Sequence, residues 1–332
     1  MKSNQTFIIA ELSANHNNDL DLALRTVKAA ADAGADAIKV QTYTADSLAI
    51  DVDNEFFGPK KEGLWKGIRP YDLYKGASLP YEWHAPIQKA AKEHGLVFFS
   101  SPFDLEGVDF LESLNVPLYK IASFEITDIP LIEYTASKGK PIIISTGVAN
   151  EEDIKLAVET CKKVGNNDIT LLKCTSQYPA KIEDANLSTI TDMKKRFNVK
   201  IGLSDHTMGD IVPTTAVALG AVVIEKHFIL DRNLGGADSS FSMEPKEFKE
   251  MVDRVRLVEA SLGNVSYSIT EKDVYKRRSL FAVKDIDEGE VFTKENVRSV
   301  RPGVGLHTKY YKSLLGEQST RAYKKGDPLK KN

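Results

Sequence analysis

Along the first 260 residues, short apolar or β-branched runs alternate with segments whose apolar positions recur at helical spacing. The runs fall at 7–12, 37–41, 96–99, 118–122, 141–145, 169–173, 200–203 and 221–225. Amphipathic stretches predict helices between them, among others at 20–33, 83–94, 104–114, 151–164 and 211–219. Gly34, Gly95, Gly139, Gly165 and Gly220 follow these stretches as helix-terminating glycines do. Eight βα units over about 260 residues match the count and length of a (β/α)8 barrel. Alternation by itself also fits a doubly wound open sheet.

The ends of the runs carry a second pattern. Each passes from apolar into small, polar or ionisable residues, as in Lys39-Val40-Gln41, Lys120-Ile121-Ala122-Ser123, Ser204-Asp205-His206 and Glu225-Lys226-His227. Polar loops account for serine and glycine there, but not for Lys39, Lys120, His206 and His227 at one point of the repeat. In a barrel those ends converge on the face that carries the active site.

Two segments break the repeat. Residues 51–80, rich in Gly, Pro and aromatics, form a long insertion between the second and third runs, which reads as a lid or a dimer contact. After a closing helix at 245–262, residues 263–276 read as a linker, and from Arg277 short strands are expected at 279–284, 289–293, 297–302 and 326–329. The predicted organisation is a catalytic barrel at 1–262, a linker at 263–276 and a small second domain at 277–332. A domain of that size is marginal alone and is expected to dock onto a barrel.

Composition narrows the function classes. The 332 residues carry a formal charge of −3, with 42% hydrophobic and 27% charged residues, which excludes a disordered or generally basic nucleic-acid-binding chain. The charge is uneven: residues 271–332 carry +6 and residues 1–270 carry −9. In the tail, basic residues are interleaved with Asp287-Glu288 and Glu290, so it reads as a solvated segment or one that approaches an anionic ligand. No apolar stretch reaches the roughly 18 residues of a membrane span, and the apolar run at the start is too short for a signal peptide. Two cysteines, Cys161 and Cys174, in so long a chain point to a reducing compartment. A cytoplasmic enzyme is the expectation, with neither nucleic acid nor membrane as partner.

His206 and His227 end consecutive strands, which lie about 4.8 Å apart, so both imidazoles can reach one ion. Zinc-type cysteine clusters are absent, and two histidines suit an open site for Mn²⁺ or a similar ion (Mg²⁺ or Co²⁺) better than structural zinc. His84, His94 and His307 fall in helix or tail contexts and are given no role. Lys39 and Lys120, with the hydroxyls of Ser101, Ser123, Ser145 and Ser204, would line the same bowl. Charge compensation with several donors is what a phosphate or carboxylate requires. No Walker-type loop or GxGxxG is present, so a nucleotide fingerprint is not supported.

These motifs together resemble a known family. Glu11…Asn15-His16, Ile38-Lys39-Val40-Gln41-Thr42, Phe99-Ser100-Ser101-Pro102, Tyr119-Lys120-Ile121-Ala122-Ser123-Phe124-Glu125, Lys173-Cys174-Thr175-Ser176-Gln177-Tyr178-Pro179, Gly202-Leu203-Ser204-Asp205-His206 and Ile224-Glu225-Lys226-His227 are similar to the bacterial sialic acid synthases. Asn296-Val297-Arg298…Arg301-Pro302-Gly303 resembles their antifreeze-like domain. The Ala10–His16 stretch, Gly63-Leu64-Trp65 and Tyr71-Asp72-Leu73-Tyr74 resemble the pseudaminate branch.

The resemblance implies a TIM barrel followed by a small antifreeze-like (SAF, β-clip) domain. It implies condensation of phosphoenolpyruvate (PEP) with an N-acetylated amino sugar to a nine-carbon 2-keto acid, here from 2,4-diacetamido-2,4,6-trideoxy-L-altrose. Neuraminate or legionaminate synthesis by the same chemistry is the alternative. A metal on His206 and His227 would polarise the sugar aldehyde, and Glu11 would orient or deprotonate the attacking water. Lys39, Lys120 and the serines, with Ser176 where neuraminate enzymes carry Asn, would hold PEP. Gln41, Glu125, Tyr178 and Asp238 resemble the amino-sugar contacts. Arg301 matches a residue that reaches a neighbouring subunit's sugar, which implies a domain-swapped homodimer.

Overall fold

The computed structural model describes residues 5–331; residues 1–4 and 332, the outermost positions of the expected domains, lie outside it. Eight strands, β1 (Phe7–Glu11), β2 (Ala37–Thr42), β3 (Val97–Pro102), β4 (Tyr119–Ile121), β5 (Ile142–Ser145), β6 (Ile169–Cys174), β7 (Lys200–Asp205) and β8 (Val223–His227), pair in sequence order into a closed barrel. The parallel pairing of β1 with β8, ending at Glu11 opposite His227, closes it and excludes the open sheet.

Local chemistry sets the helices between strands. Asp19, Asp104 and Asn150 each accept a backbone N–H at the start of the helices Leu20–Asp32, Leu105–Ser113 and Glu151–Lys163. Such caps are worth about 1 kcal/mol each. The closing helix Pro245–Leu262 starts on a proline at its first turn and buries Phe248, Met251, Val252 and Val255, one face at helical spacing. No described helix is long and apolar enough to cross a membrane.

Strand alternation divides the core in two. Outward residues such as Ile8, Ile38, Ile144 and Ile224 pack under the helices in one large cluster. Inward residues Phe7, Ile9, Ala37, Phe99, Leu118, Ile143, Leu172 and Val223 fill the barrel as an apolar plug. At Gly202 the plug leaves no space: a Cβ there would stand 2.5 Å from the Val223 carbonyl oxygen and 2.6 Å from Leu172 Cδ2.

Several expectations need correction. Residues 51–80 are not all loop, because Pro70 opens a helix, Pro70–Ala77. β3 runs three residues further than its apolar run, through Ser100, Ser101 and Pro102, since β2 continues to pair beside it. The chain divides into two compact units, Met1–Gly263 and Asn264–Asn332. In the second unit β9 (Ser279–Ala282) pairs antiparallel with β10 (Val297–Val300) and β11 (Leu306–His307). The runs expected at 289–293 and 326–329 form only single bridges, Val291 to Gln318 and Phe281 to Pro328. The linker carries a short helix, Glu271–Tyr275, capped by Thr270.

Candidate active site

Two residues beyond the apolar plug, on the same inward face, every strand turns polar. Ile9 gives way to Glu11, Ala37 to Lys39, Phe99 to Ser101, Leu118 to Lys120, Ile143 to Ser145, Leu172 to Cys174, Gly202 to Ser204 and Val223 to Glu225. All eight of these polar residues are buried, so a ring of chemistry, staggered with the tilt of the strands, lies across the barrel mouth beyond the plug. His227 ends β8 and His206 directly follows the last residue of β7, each two residues beyond the ring member of its strand.

The ring is electrostatically paired. Lys39 Nζ contacts the Glu11 carboxylate and lies 3.3 Å from Ser101 Oγ. Lys39 and Lys120 stand 3.8 and 3.7 Å from Glu225 Oε1, to which Ser204 Oγ donates at 3.3 Å. Burial raises the Glu11 pKa to about 7 against the pull of Lys39. Burial also works against the Glu225 carboxylate, but Lys120 and Lys39 together carry its pKa below the ordinary value. Burial lowers the pKa of Lys120.

On the next level the imidazoles of His206 and His227 have ring centres 5.3 Å apart. His206 Nδ1 is 2.9 Å from the Thr175 carbonyl oxygen, a contact that needs the proton on Nδ1 and leaves Nε2 as an electron-pair donor. His227 Nδ1 lies 3.8 Å from Asp238 Oδ2 and is buried without a hydrogen-bond partner. Burial holds His227 well below the usual imidazole range, hence neutral. Burial works against the charged form of His206, but the Cys174 side chain beside it raises its pKa above the ordinary value. The unsatisfied His227 nitrogen next to the His206 ring fits a divalent cation, which would displace a proton from His206 on binding. Among the described residues no group of three or more His, Cys, Asp or Glu forms a ready-made cage.

Ser123 and Ser176 pair above the ring, Ser176 donating at 2.8 Å. They crowd Gly147, where a Cβ would meet Ser176 Oγ at 2.2 Å. Gln41, Ser123, Glu125, Tyr178, His227 and Asp238 all line one cavity of about 510 Å³. The Glu125 carboxyl is pushed up to about 7 by burial. Tyr178 packs against His206 at 4.4 Å between ring centres. Ser145 Oγ, Glu125 Oε2 and Glu225 Oε2 are, like His227 Nδ1, buried without hydrogen-bond partners among the described residues.

The structure therefore brings Glu11, Lys39, Gln41, Ser101, Lys120, Ser123, Glu125, Ser145, Ser176, Tyr178, Ser204, His206, His227 and Asp238 to one end of the barrel. Arg301 belongs to the other unit, where it lines a groove with Lys284, Arg298 and Lys325. Sequence reasoning missed Glu225 and Cys174 as members of the ring, although alternation from Val223 and Leu172 would have found both. The insertion, expected as a lid or a dimer contact, contributes Lys60, Trp65, Leu73, Tyr74 and Ala77 to the lining of the cavity.

A closed barrel whose C-terminal mouth holds buried lysines, carboxylates and histidines defines a (β/α)8-barrel enzyme. The chain belongs to the NeuB family, whose model matches residues 26–267, and a SAF domain matches residues 277–332. It is 50% identical to a pseudaminic acid synthase of Campylobacter jejuni over 98% of this chain and 96% of the relative. An N,N'-diacetyllegionaminic acid synthase of Legionella pneumophila is 37% identical, over 97% and 93% of the two chains. The crystal structure of an N-acetylneuraminic acid synthetase from Leptospira borgpetersenii superposes with a TM-score of 0.72 at 37% identity, over 81% of this chain and 89% of that one.

Proposed function

We propose that the chain condenses PEP with 2,4-diacetamido-2,4,6-trideoxy-L-altrose and water to give pseudaminate and phosphate. The observation that carries this reading is the set of buried, unpartnered polar atoms of Ser145, Glu125, Glu225 and His227 around two buried lysines. Burying a polar group without a partner costs about 1–3 kcal/mol, so a barrel mouth that keeps such atoms is arranged for a polar occupant: the lysines suit its anionic groups, and the carboxylate oxygens suit its hydroxyl and amide donors. The altrose-derived sugar is favoured over its relatives because the likeness is higher to the pseudaminic acid synthase, 50%, than to the N,N'-diacetyllegionaminic acid synthase, 37%.

Lys39 and Lys120 hold the PEP charges, and the hydroxyls of Ser101, Ser123, Ser145, Ser176 and Ser204 orient them. Gln41, Glu125, Tyr178 and Asp238 hold the amino sugar in the adjoining cavity. Carbon 3 of PEP then forms the new bond to the aldehyde carbon, water adds at carbon 2, and the C–O bond to phosphate breaks. Orientation of the two substrates supplies much of the rate. Glu11, with a pKa near 7, can take the proton of that water at neutral pH. His206 and His227 would hold a divalent ion, Mn²⁺, Mg²⁺ or Co²⁺, which when bound supplies Lewis-acid polarisation of a carbonyl oxygen.

The reading extends to a cytoplasmic homodimer in which Arg301 reaches the sugar site of a second copy. It is supported by the exposed position of Arg301 and by the opposite charges of the tail and of residues 1–270. Arg301→Ala should raise the sugar KM or lower kcat while the oligomeric mass is unchanged.

The test is phosphate release from PEP with Mn²⁺ and, in parallel, the altrose-derived sugar, its manno-configured counterpart and N-acetylmannosamine, each with a chelator control. Release with the altrose-derived sugar alone is expected. Preference for another sugar moves the assignment to legionaminate or neuraminate synthesis, and silence with all three overturns it.

A further inference from the structure

Three segments that line the cavity beside His227 are tied to one another in a closed triangle. The turn after β1 supplies Ser13 and Ala14 to the lining, the insertion supplies Trp65 and Ala77, and the segment after β8 supplies Ala237 and Asp238. On each side of the triangle a side chain of one segment donates to a backbone carbonyl of another. His16 Nδ1 accepts from the backbone N–H of Asn18 at 3.1 Å, which places the ring proton on Nε2, and Nε2 donates to the Ala77 carbonyl at 3.3 Å. Asn18 Nδ2 donates to the Gly76 carbonyl at 3.1 Å, so the turn after β1 holds the last carbonyls of the insertion helix Pro70–Ala77. Asn17, between the two, donates to the Leu234 and Gly235 carbonyls at 3.1 and 3.3 Å. Trp65 Nε1 of the insertion closes the figure on the Ala237 carbonyl at 3.2 Å.

The triangle bears on one part of the site and not on the other. Ala237 directly precedes Asp238, whose carboxylate lies 3.8 Å from His227 Nδ1 and accepts from the Ala14 N–H at 3.4 Å. Trp65 packs against Tyr178 at 6.0 Å between ring centres, and Lys60 Nζ lies 4.8 Å from the centre of its ring. The Lys60 backbone bonds to Gly67 and Ile68, so the loop that carries Trp65 is itself closed. Lys39, Ser101, Lys120, Ser145 and Ser204, by contrast, stand on barrel strands and are placed by the sheet. A binding group on a loop is useful only if its support holds it to within about 0.5 Å.

We propose that Asn17 and Trp65 are positioning residues for the amino sugar: they tie the segment after β8 to the turn after β1 and to the insertion, so that Asp238 and Tyr178 are held to meet the sugar, while PEP binding does not depend on them. The inference rests on the reading of the site as an amino-sugar synthase and adds how the sugar side of that site keeps its shape. It also gives the Asn15-His16 motif and its two following asparagines a use. Asn17 and Asn18 sit at φ +46° and +56°, a left-handed backbone that asparagine tolerates better than most residues, and the turn so formed serves two segments at once.

The experiment measures KM for 2,4-diacetamido-2,4,6-trideoxy-L-altrose and for PEP separately, by phosphate release with Mn²⁺, in Asn17→Gly, Trp65→Phe and the double variant. Glycine accepts the left-handed backbone at position 17 and removes only the side chain. Phenylalanine keeps a ring against Tyr178 and removes the N–H donor. Each single variant should raise the sugar KM at least threefold, with the PEP KM within twofold of wild type. The double variant should raise the sugar KM by less than the product of the two, because both tethers end on residues 234–237. A sugar KM unchanged in both single variants, or sugar and PEP KM values that rise together, overturns the positioning role while the synthase reading stands. A fall in kcat with both KM values unchanged marks loss of folded protein and overturns it as well. A wild-type protein that releases no phosphate with any amino sugar overturns the synthase reading, and the positioning role with it.

Discussion

Lys226 of β8 donates to the carboxylate of Asp205 on β7 in a place closed to solvent, and each residue directly precedes a histidine of the bowl. The two are register partners across the sheet. Asp205 also accepts from the backbone N–H and the hydroxyl of Thr207, at 3.0 Å each, while Lys226 reaches the Thr207 carbonyl. The pair thus fixes both strand ends from the side opposite the bowl and sets where His206 and His227 point.

Removing one partner leaves the other charge buried, which costs about 3–5 kcal/mol. Lys226→Met and Asp205→Asn should each destabilise the chain by that order in urea titrations. The double variant should lose clearly less than the sum of the two, because the stranded charge is gone. Strict additivity would show that the pair is not coupled. Both single variants should also weaken Mn²⁺ binding in calorimetry, since the imidazoles they hold are released.

Gly147 tests the anion end of the site separately. An alanine there would stand 2.2 Å from Ser176 Oγ and 2.7 Å from Ser123 Oγ, so the hydroxyl pair must part. Hydrogen bonds to charged groups are worth about 1.5–3 kcal/mol. Gly147→Ala should therefore raise the KM for PEP by about tenfold or more, with the sugar KM little changed. An equal rise for both substrates would place the hydroxyl pair elsewhere in the reaction.

The period-2 pattern made much of this legible. Every apolar run ends in a polar residue on its inward face, and that is why Lys39, Lys120, Ser145 and Ser204 could be picked without coordinates. Glu225 was passed over because it stands between apolar residues and a more conspicuous histidine, although it shares a face with Val223 and His227. Asp205 and Lys226 face the other way, and their pairing depends on a register that only the closed sheet defines. The helix at Pro70–Ala77 was hidden inside a segment rich in Gly, Pro and aromatics, a composition that reads as loop. Its proline is at the first turn, where it favours a helix rather than breaking one. The insertion was expected over the active face, but which of its residues line the cavity with Phe103 is set only in three dimensions.

The two histidines give a direct test of metal binding. His206→Ala or His227→Ala should abolish Mn²⁺ binding in calorimetry and metal-dependent turnover, with the far-ultraviolet circular dichroism of the barrel retained. His227 has the unpartnered nitrogen, so its loss strands no donor. Wild-type rates of either variant in chelated buffer would refute the assignment.

His84, given no role by the sequence, is a buried anchor with a calculable pH signature. Its Nε2 lies 2.8 Å from Thr42 Oγ1, which is 2.6 Å from Ser100 Oγ, and its Nδ1 lies 3.2 Å from the Tyr81 carbonyl oxygen. It thereby ties the end of the insertion to β2 and β3. Burial pushes its pKa down to about 4 from the ordinary 6.5, with the carbonyls of Pro80 and Tyr81 pulling weakly the other way. Above pH 6.5 the ring is neutral folded and unfolded, and its contribution is complete. As the pH falls from 6.5 towards 4, the unfolded chain takes up a proton that the folded chain refuses, so stability is lost across that window, by up to about 3 kcal/mol. His84→Gln removes the titration, so the stability gap between wild type and variant should shrink by that order between pH 7.5 and pH 4.5 in urea titrations. A gap that stays constant over this range would mean that His84 titrates alike in the folded and unfolded chain, and that the Thr42–Ser100 network does not hold it neutral.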